Sequence, residues 1–115
     1  MSCIFCRIVA GEIPAKVVAQ SERALAFHDV NPQAPTHVLV IPRDHVATAA
    51  EATHLPDGAA ILHELFQLGV QVANDLGLAS SGYRCVINTG DEGGQTVHHL
   101  HLHVLGGRQM TWPPG

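Results

Sequence analysis

His99, His101 and His103 alternate with Leu100, Leu102 and Val104 near the C-terminal end of the chain. Two is the side-chain period of a β-strand. The alternation therefore predicts a strand over residues 97–105, with the three imidazoles on one face and the aliphatic side chains on the other. Same-face neighbours lie roughly 6.5–7 Å apart along a strand, so the row reaches different atoms of one bound group. Valine or threonine would fill a buried sheet face better, and the row is read as chemistry. Two chemistries suit it. Histidines at i, i+2 can share a zinc ion. Alternatively, a neutral imidazole, whose ordinary pKa of about 6.5 leaves much of it unprotonated near neutral pH, can attack phosphorus. Spacing alone leaves both open. The lack of an obvious carboxylate nearby to complete a hydrolytic metal site weighs against the first. His98 falls on the opposite face by alternation and is left outside the row.

Upstream, residues 88–96 form a glycine-rich turn ending in Gln95 and Thr96. Such a turn lets backbone N–H groups converge on an anion. Asn88, Gln95 and Thr96 are also ordinary turn residues, but next to the histidine row they suit phosphate and leaving-group contact. Cys3-x-x-Cys6 is half of a zinc pattern and weak by itself; two free thiols is the simpler expectation. Cys85 lies in an apolar run and is expected to be a small buried residue. Three cysteines in all give no disulfide framework, so a reducing cytoplasm is the expected compartment. His28, His54 and His63 read as ordinary surface or helix residues.

The elements that must position these groups follow from periodicity. Ile4, Phe5 and Ile8 sit at helical spacing before Gly11, a short helix with one apolar face. Residues 17–20 and 24–28 read as strands joined by the polar turn Ser21-Glu22-Arg23. Pro32 and Pro35 bar a central strand through residues 31–35, and residues 37–42 form a β-branched run closed by Pro42. From Gly58 to Leu76 the period changes: Leu62, Leu65, Phe66, Gly69, Val72, Ala73 and Leu76 lie on one helical face. Asp57 suits the N-cap and Gly77 the stop. Residues 83–88 make a further strand before the glycine turn. The order β-β-β-α-β-β with short connections predicts an antiparallel sheet carrying helices, an α+β domain.

A length of 115 residues and an apolar fraction of 46% suit one small domain with a modest core, for which self-association would help. A net charge of −4 with only six Lys plus Arg, scattered along the chain, argues against a general nucleic-acid binder. No apolar stretch is long enough for a membrane span, and the N-terminus lacks a signal peptide's charged and apolar regions.

Three segments together resemble the histidine triad (HIT) family: G-G-Q-T-V-H-H-L-H-L-H-V-L over residues 93–105, F-H-D-V-N-P-Q-A-P-T-H-V-L-V-I-P over 27–42, and G-G-R-Q-M-T-W-P-P-G over 106–115. The tail is similar to the Hint branch in particular, and the likeness covers nearly the whole chain. It implies a single domain over residues 1–115, with an antiparallel sheet of about five strands, one long helix and one or two short ones. The sheet would continue across a homodimer. The implied activity is hydrolysis of the P–N bond of adenosine or guanosine 5′-phosphoramidates through a nucleotidyl-histidine intermediate. His101 would be the nucleophile, with His103 against the phosphate, His99 orienting the nucleophile and His37 supporting the row. Thr96 stands where the branch usually has serine and keeps the hydroxyl that would protonate a departing amine. Asp29 would bind the ribose hydroxyls, Asn88 and Gln95 the phosphate region, and Ile4, Phe5, Ile8, Phe27, Val30 and Leu39 the purine. The resemblance requires no redox cofactor or catalytic metal. Some bacterial members bind zinc at the positions matching Cys3, Cys6, His45 and His99, although many of the Hint branch lack the cysteines. Trp112-Pro113-Pro114 would reach towards the neighbouring site of a dimer. The rival readings are a dinucleoside polyphosphate hydrolase and a low-turnover nucleotide- or zinc-binding regulatory protein.

Overall fold

A computed structural model describes residues 3–115. Helix α1 (Ile4–Val9) is followed by strands β1 (Val17–Gln20), β2 (Ala24–His28) and β3 (Thr36–Pro42). Short helix α2 (Ala49–Ala52) and long helix α3 (Gly58–Asp75) follow, then β4 (Tyr83–Val86) and β5 (Leu102–Gly106). The strands form one antiparallel sheet in the order β1-β2-β3-β5-β4. β5 therefore slots between β3 and β4, and His103 pairs with Leu39 on one side and Val86 on the other. This is the α+β architecture that the element order implied.

The sheet has two different faces. On one, Val38, Val40, Leu102 and Val104 pack against Ile61, Leu65, Leu68, Val72 and Ala73 of α3 in a sealed core. Close approach depends on Gly69: a Cβ there would stand 3.0 Å from Leu102 Cδ2. The opposite face carries a smaller cluster of Phe5, Leu25, Phe27, Leu39 and Ile41 under α1. That face also carries the histidines. Because strand side chains alternate, one aliphatic set anchors β5 to the helix while the intervening positions remain available for function.

Several expectations are corrected. The histidine strand is half as long as the alternation implied, since ladder pairing begins at Leu102. His99 and His101 lie on an irregular approach held by the Leu100 N–H to the Val46 carbonyl at 2.7 Å. The strand over residues 83–88 ends at Val86. The buried stripe of α3 is rotated from the one expected: Ile61 and Leu68 are inside, whereas Phe66 and Leu76 are exposed. Asp57 makes no side-chain cap bond; its carboxylate instead takes Arg23 Nη1 at 3.0 Å. Cys85 is exposed rather than buried, because β4 is the outermost strand. No helix among the described residues is long and apolar enough to cross a membrane.

Candidate active site

A cleft of about 1060 Å³ opens on the α1 face. Ile4, Phe5, Ile8, Phe27, Val30 and Leu39 line it, as do Asp29, His37, Thr96, His101 and His103. Most of the sequence-predicted site therefore converges on one space. The expected hydrophobic wall has a buried floor of Phe5, Phe27 and Leu39, while Val30 is fully exposed at the rim. The edge of the Phe5 ring packs on His101, with centroids 5.2 Å apart, and on His99 at 5.8 Å.

The hydrogen-bond partners assign the ring protons, because a carbonyl oxygen only accepts and a backbone N–H only donates. His101 Nδ1 is 2.7 Å from the His99 carbonyl; it donates, leaving Nε2 as the basic nitrogen. His99 Nε2 donates to the Pro42 carbonyl at 2.9 Å, leaving its Nδ1 lone pair facing Cys3 Sγ at 3.3 Å and Cys6 Sγ at 3.6 Å. His37 Nδ1 accepts from the Gln33 N–H at 3.0 Å, so its proton sits on Nε2. That nitrogen donates to His103 Nδ1 at 2.9 Å and lies 3.4 Å from the acceptor-only carboxylate of Asp29. His103 accepts at Nδ1 and so carries its proton on Nε2, a buried atom with no partner among the described residues. A nucleophile and a hydrogen-bond donor thus share one cleft, their rings 5.0 Å apart.

Burial disfavours the charged form of His37, His99 and His103. Burial holds the pKa of His103 down to about 4, helped by His101 and His37 and opposed by Asp29. Burial also lowers His37, against the pull of Asp29. It lowers His99 too, with the Pro42 hydrogen bond acting the other way and His45 and His101 adding to the decrease. In the free protein His103 therefore meets a phosphate as a neutral donor rather than as the imidazolium that charge neutralisation would use.

The polar loop departs from expectation. Gln95 is buried, and its side chain is fully engaged: Oε1 accepts from the Gly90 N–H, and Nε2 donates to the carbonyls of Ala47 and Val97. The Gly94 and Gln95 N–H groups are taken by the Asp91 and Gly90 carbonyls. The turn is therefore not an open anion cradle. It is a clasp that holds Thr96 at the cleft, while Asn88 and Gln95 lie outside the lining. His99 also points away from the cleft. Conversely, Lys16, His28 and Val97 line it without having been assigned to the site; Lys16 precedes β1, where periodicity gives no orientation, and His28 is the last residue of β2.

Beside the cleft, Cys3 Sγ, Cys6 Sγ, His45 Nδ1 and His99 Nδ1 all lie within 4.8 Å of one another. Cys6 Sγ is 3.2 Å from His45 Nδ1. Tetrahedral zinc bonds of about 2.3 Å to sulfur and 2.0–2.1 Å to nitrogen put such donors roughly 3.5 Å apart, so the donor set fits zinc. The Pro42 carbonyl fixes His99 in the tautomer that a ligand needs, the usual outer-layer support of a metal-binding imidazole.

Comparison with known proteins agrees with this geometry. The HIT domain family matches residues 10–110. The structure superposes on a HIT family hydrolase from Legionella pneumophila with a TM-score of 0.94 and 49% identity, covering 99% of this chain and all of that one. A 14 kDa zinc-binding protein of Zea mays is 48% identical over 97% of this chain and 87% of its own length. The adenylylsulfatase HINT1 of Arabidopsis thaliana is 46% identical over 97% of this chain and 76% of its own. The chain belongs to the HIT domain family.

Proposed function

We propose that this protein is a nucleotide hydrolase that cleaves the P–N bond of purine nucleoside 5′-phosphoramidates. The observation that carries this reading is the complementary pair of tautomers over one cleft, a basic Nε2 on His101 beside an Nε2–H on His103. His101 Nε2 attacks the α-phosphorus, the P–N bond breaks, and the amine departs with a proton taken from solvent in the cleft by way of the Thr96 hydroxyl, which lines the same space. The Nδ1–H bond to the His99 carbonyl stabilises the positive charge that develops on His101, and His103 donates to a phosphate oxygen as charge builds there. Water then attacks phosphorus and releases the nucleoside monophosphate. Asp29 at the cleft edge suits ribose hydroxyls, and the Phe5–Phe27 floor suits a base face.

Zinc at Cys3, Cys6, His45 and His99 would be structural. It would pin α1 to the segment whose carbonyl orients His101, and the reaction requires nothing further of it. The name of the maize relative supports this assignment. The unpaired outer edge of β4 and the exposed Trp112 are consistent with a homodimer. A second reading, hydrolysis of an adenylyl sulfate, is favoured by the name of the Arabidopsis relative; it uses the same intermediate with sulfate as leaving group.

Intact mass spectrometry of protein quenched during turnover of an adenosine 5′-phosphoramidate tests the proposal. A nucleoside monophosphate adduct mapped to His101, absent in His101→Ala together with turnover, is the expected result. Equal turnover in His101→Ala would sink the nucleophile assignment. Faster turnover of adenylyl sulfate than of phosphoramidate would transfer the substrate assignment to the second reading.

A further inference from the structure

The donor that His103 presents to the cleft is set from outside the site. The strand β5 ends at Gly106, and Gly107 turns the chain with a φ of +92°, against Pro35. A Cβ at Gly107 would stand 2.9 Å from Pro35 Cβ, so only glycine permits both the left-handed turn and this approach. The turn brings Arg108 to the loop before β3. Its Nε and Nη2 both donate to the Gln33 carbonyl, at 3.2 and 3.1 Å. The same residue's N–H donates to His37 Nδ1, His37 Nε2 donates to His103 Nδ1, and His103 Nε2–H is left without a partner among the described residues, on a ring that lines the cleft.

We propose that Arg108 is a positioning residue for the phosphate-facing donor: by gripping Gln33 it aims one backbone N–H at His37 and thereby fixes the tautomers of His37 and His103. An isolated imidazole takes either tautomer, so a row of two can present a donor or an acceptor to the cleft. A phosphate oxygen accepts only, and the wrong tautomer of His103 would set a lone pair against it. Two charge-assisted hydrogen bonds to one carbonyl give the exposed arginine enough hold to orient a loop, and a chain of hydrogen bonds transmits the choice of proton position along its length. Asp29 reinforces the choice, since its carboxylate beside His37 Nε2 also requires a proton on that nitrogen.

The proposal rests on the cleft binding a nucleotide phosphate, and its test is read without turnover. Ring ¹⁵N shifts of His37 and His103 are measured in the wild type, Arg108→Met and Arg108→Lys, alongside affinities for AMP and adenosine. The wild type should show both rings protonated at Nε2. Arg108→Met keeps the aliphatic stem but loses the grip. It should give mixed tautomers and about fivefold weaker AMP binding with adenosine affinity unchanged, and Arg108→Lys should restore most of both. Unmoved ring shifts in Arg108→Met, or an unchanged ratio of AMP to adenosine affinity, would overturn the proposal. Failure of the wild type to hydrolyse phosphoramidates would overturn the reaction assigned above and leave this result standing.

Discussion

His99 and His103 stand two residues either side of His101. Both are neutral, held by hydrogen bonds and lowered in pKa chiefly by burial. They nevertheless serve opposite needs. His99 donates backwards to the Pro42 carbonyl and offers a lone pair to two thiols. His103 accepts from behind, through His37, and offers a proton to the cleft. An imidazole has two nitrogens and, when neutral, one proton, so the partner behind the ring decides what its front presents. A carbonyl behind makes a ligand or nucleophile, and a donor behind makes a donor. The chemistry of each histidine is thus written in the residue it leans on.

The largest effect should come from breaking the pattern on one side only. His103→Phe removes the donor but keeps a ring, and should lower kcat on a nucleoside phosphoramidate by about 100-fold or more, as loss of a preorganised donor to a developing oxyanion does. Its metal content should match the wild type. His99→Phe should instead lose zinc and part of the fold. Steady-state kinetics and metal analysis of both proteins check the contrast; equal metal loss in the two would dissolve the distinction between the flanks.

A milder effect is expected from emptying the thiol side without touching His99. Chelation, or Cys3→Ser with Cys6→Ser, should lower the melting temperature by roughly 5 °C or more. Turnover at temperatures where the protein stays folded should remain intact, because the Pro42 carbonyl still holds His99 and the His99 carbonyl still orients His101. Calorimetry paired with a room-temperature assay separates the two quantities. Loss of turnover on chelation, restored by zinc, would give the metal a role in the reaction.

Gln95 offers an intermediate case, since it joins the two sides by holding Val97 and Ala47. Gln95→Leu fills the space but leaves the buried partner groups unpaired, which should cost about 2–3 kcal/mol, read by urea denaturation. Gln95→Glu should be at least as damaging as Gln95→Leu near neutral pH, since a buried carboxylate would face the Ala47 and Val97 carbonyls, which only accept. If leucine were tolerated without cost, the clasp would be unnecessary.

Much of this was legible in the sequence, for physical reasons that differ by residue. The alternation of His101, Leu102, His103 and Val104 reports a strand because side chains on a pleat must alternate, and β1 and β2 were bounded by turn residues on both sides. The alternation overstated the strand, however: periodicity describes orientation, whereas a ladder needs a partner. Beyond the pair of Val40 with Leu102, β3 soon ends at Pro42, which has no N–H to donate. The apolar count of α3 could not tell Phe66 from Ile61, because both lie near the edges of a broad stripe and the sheet selects between them. Gln95 looked like a ligand contact since a glutamine in a glycine turn is usually solvated; only the closed loop reveals that its amide satisfies its own backbone. Arg108 and Gln33 gave no signal, as their roles depend on a carbonyl and an N–H, which no side-chain pattern encodes.

The smallest predicted effect concerns acid. His103 has a pKa of about 4 in the fold against an ordinary 6.5, so between those values the unfolded chain binds more protons than the folded one. Stability is therefore intact above pH 6.5 and falls as the pH drops towards 4. The metal-free protein is the right sample, because acid also strips thiol and imidazole ligands and would mix the two flanks. His37 shifts in the same direction and adds to the slope. Replacing His103 with glutamine, which keeps an acceptor and a donor but cannot titrate, should flatten the decline in melting temperature over this interval by roughly a few degrees. His99 should contribute to what remains, since its pKa is also lowered. If His103→Gln left the decline unchanged, the His103 flank would not be held neutral by its burial, and the resting protein could meet phosphate with an imidazolium after all.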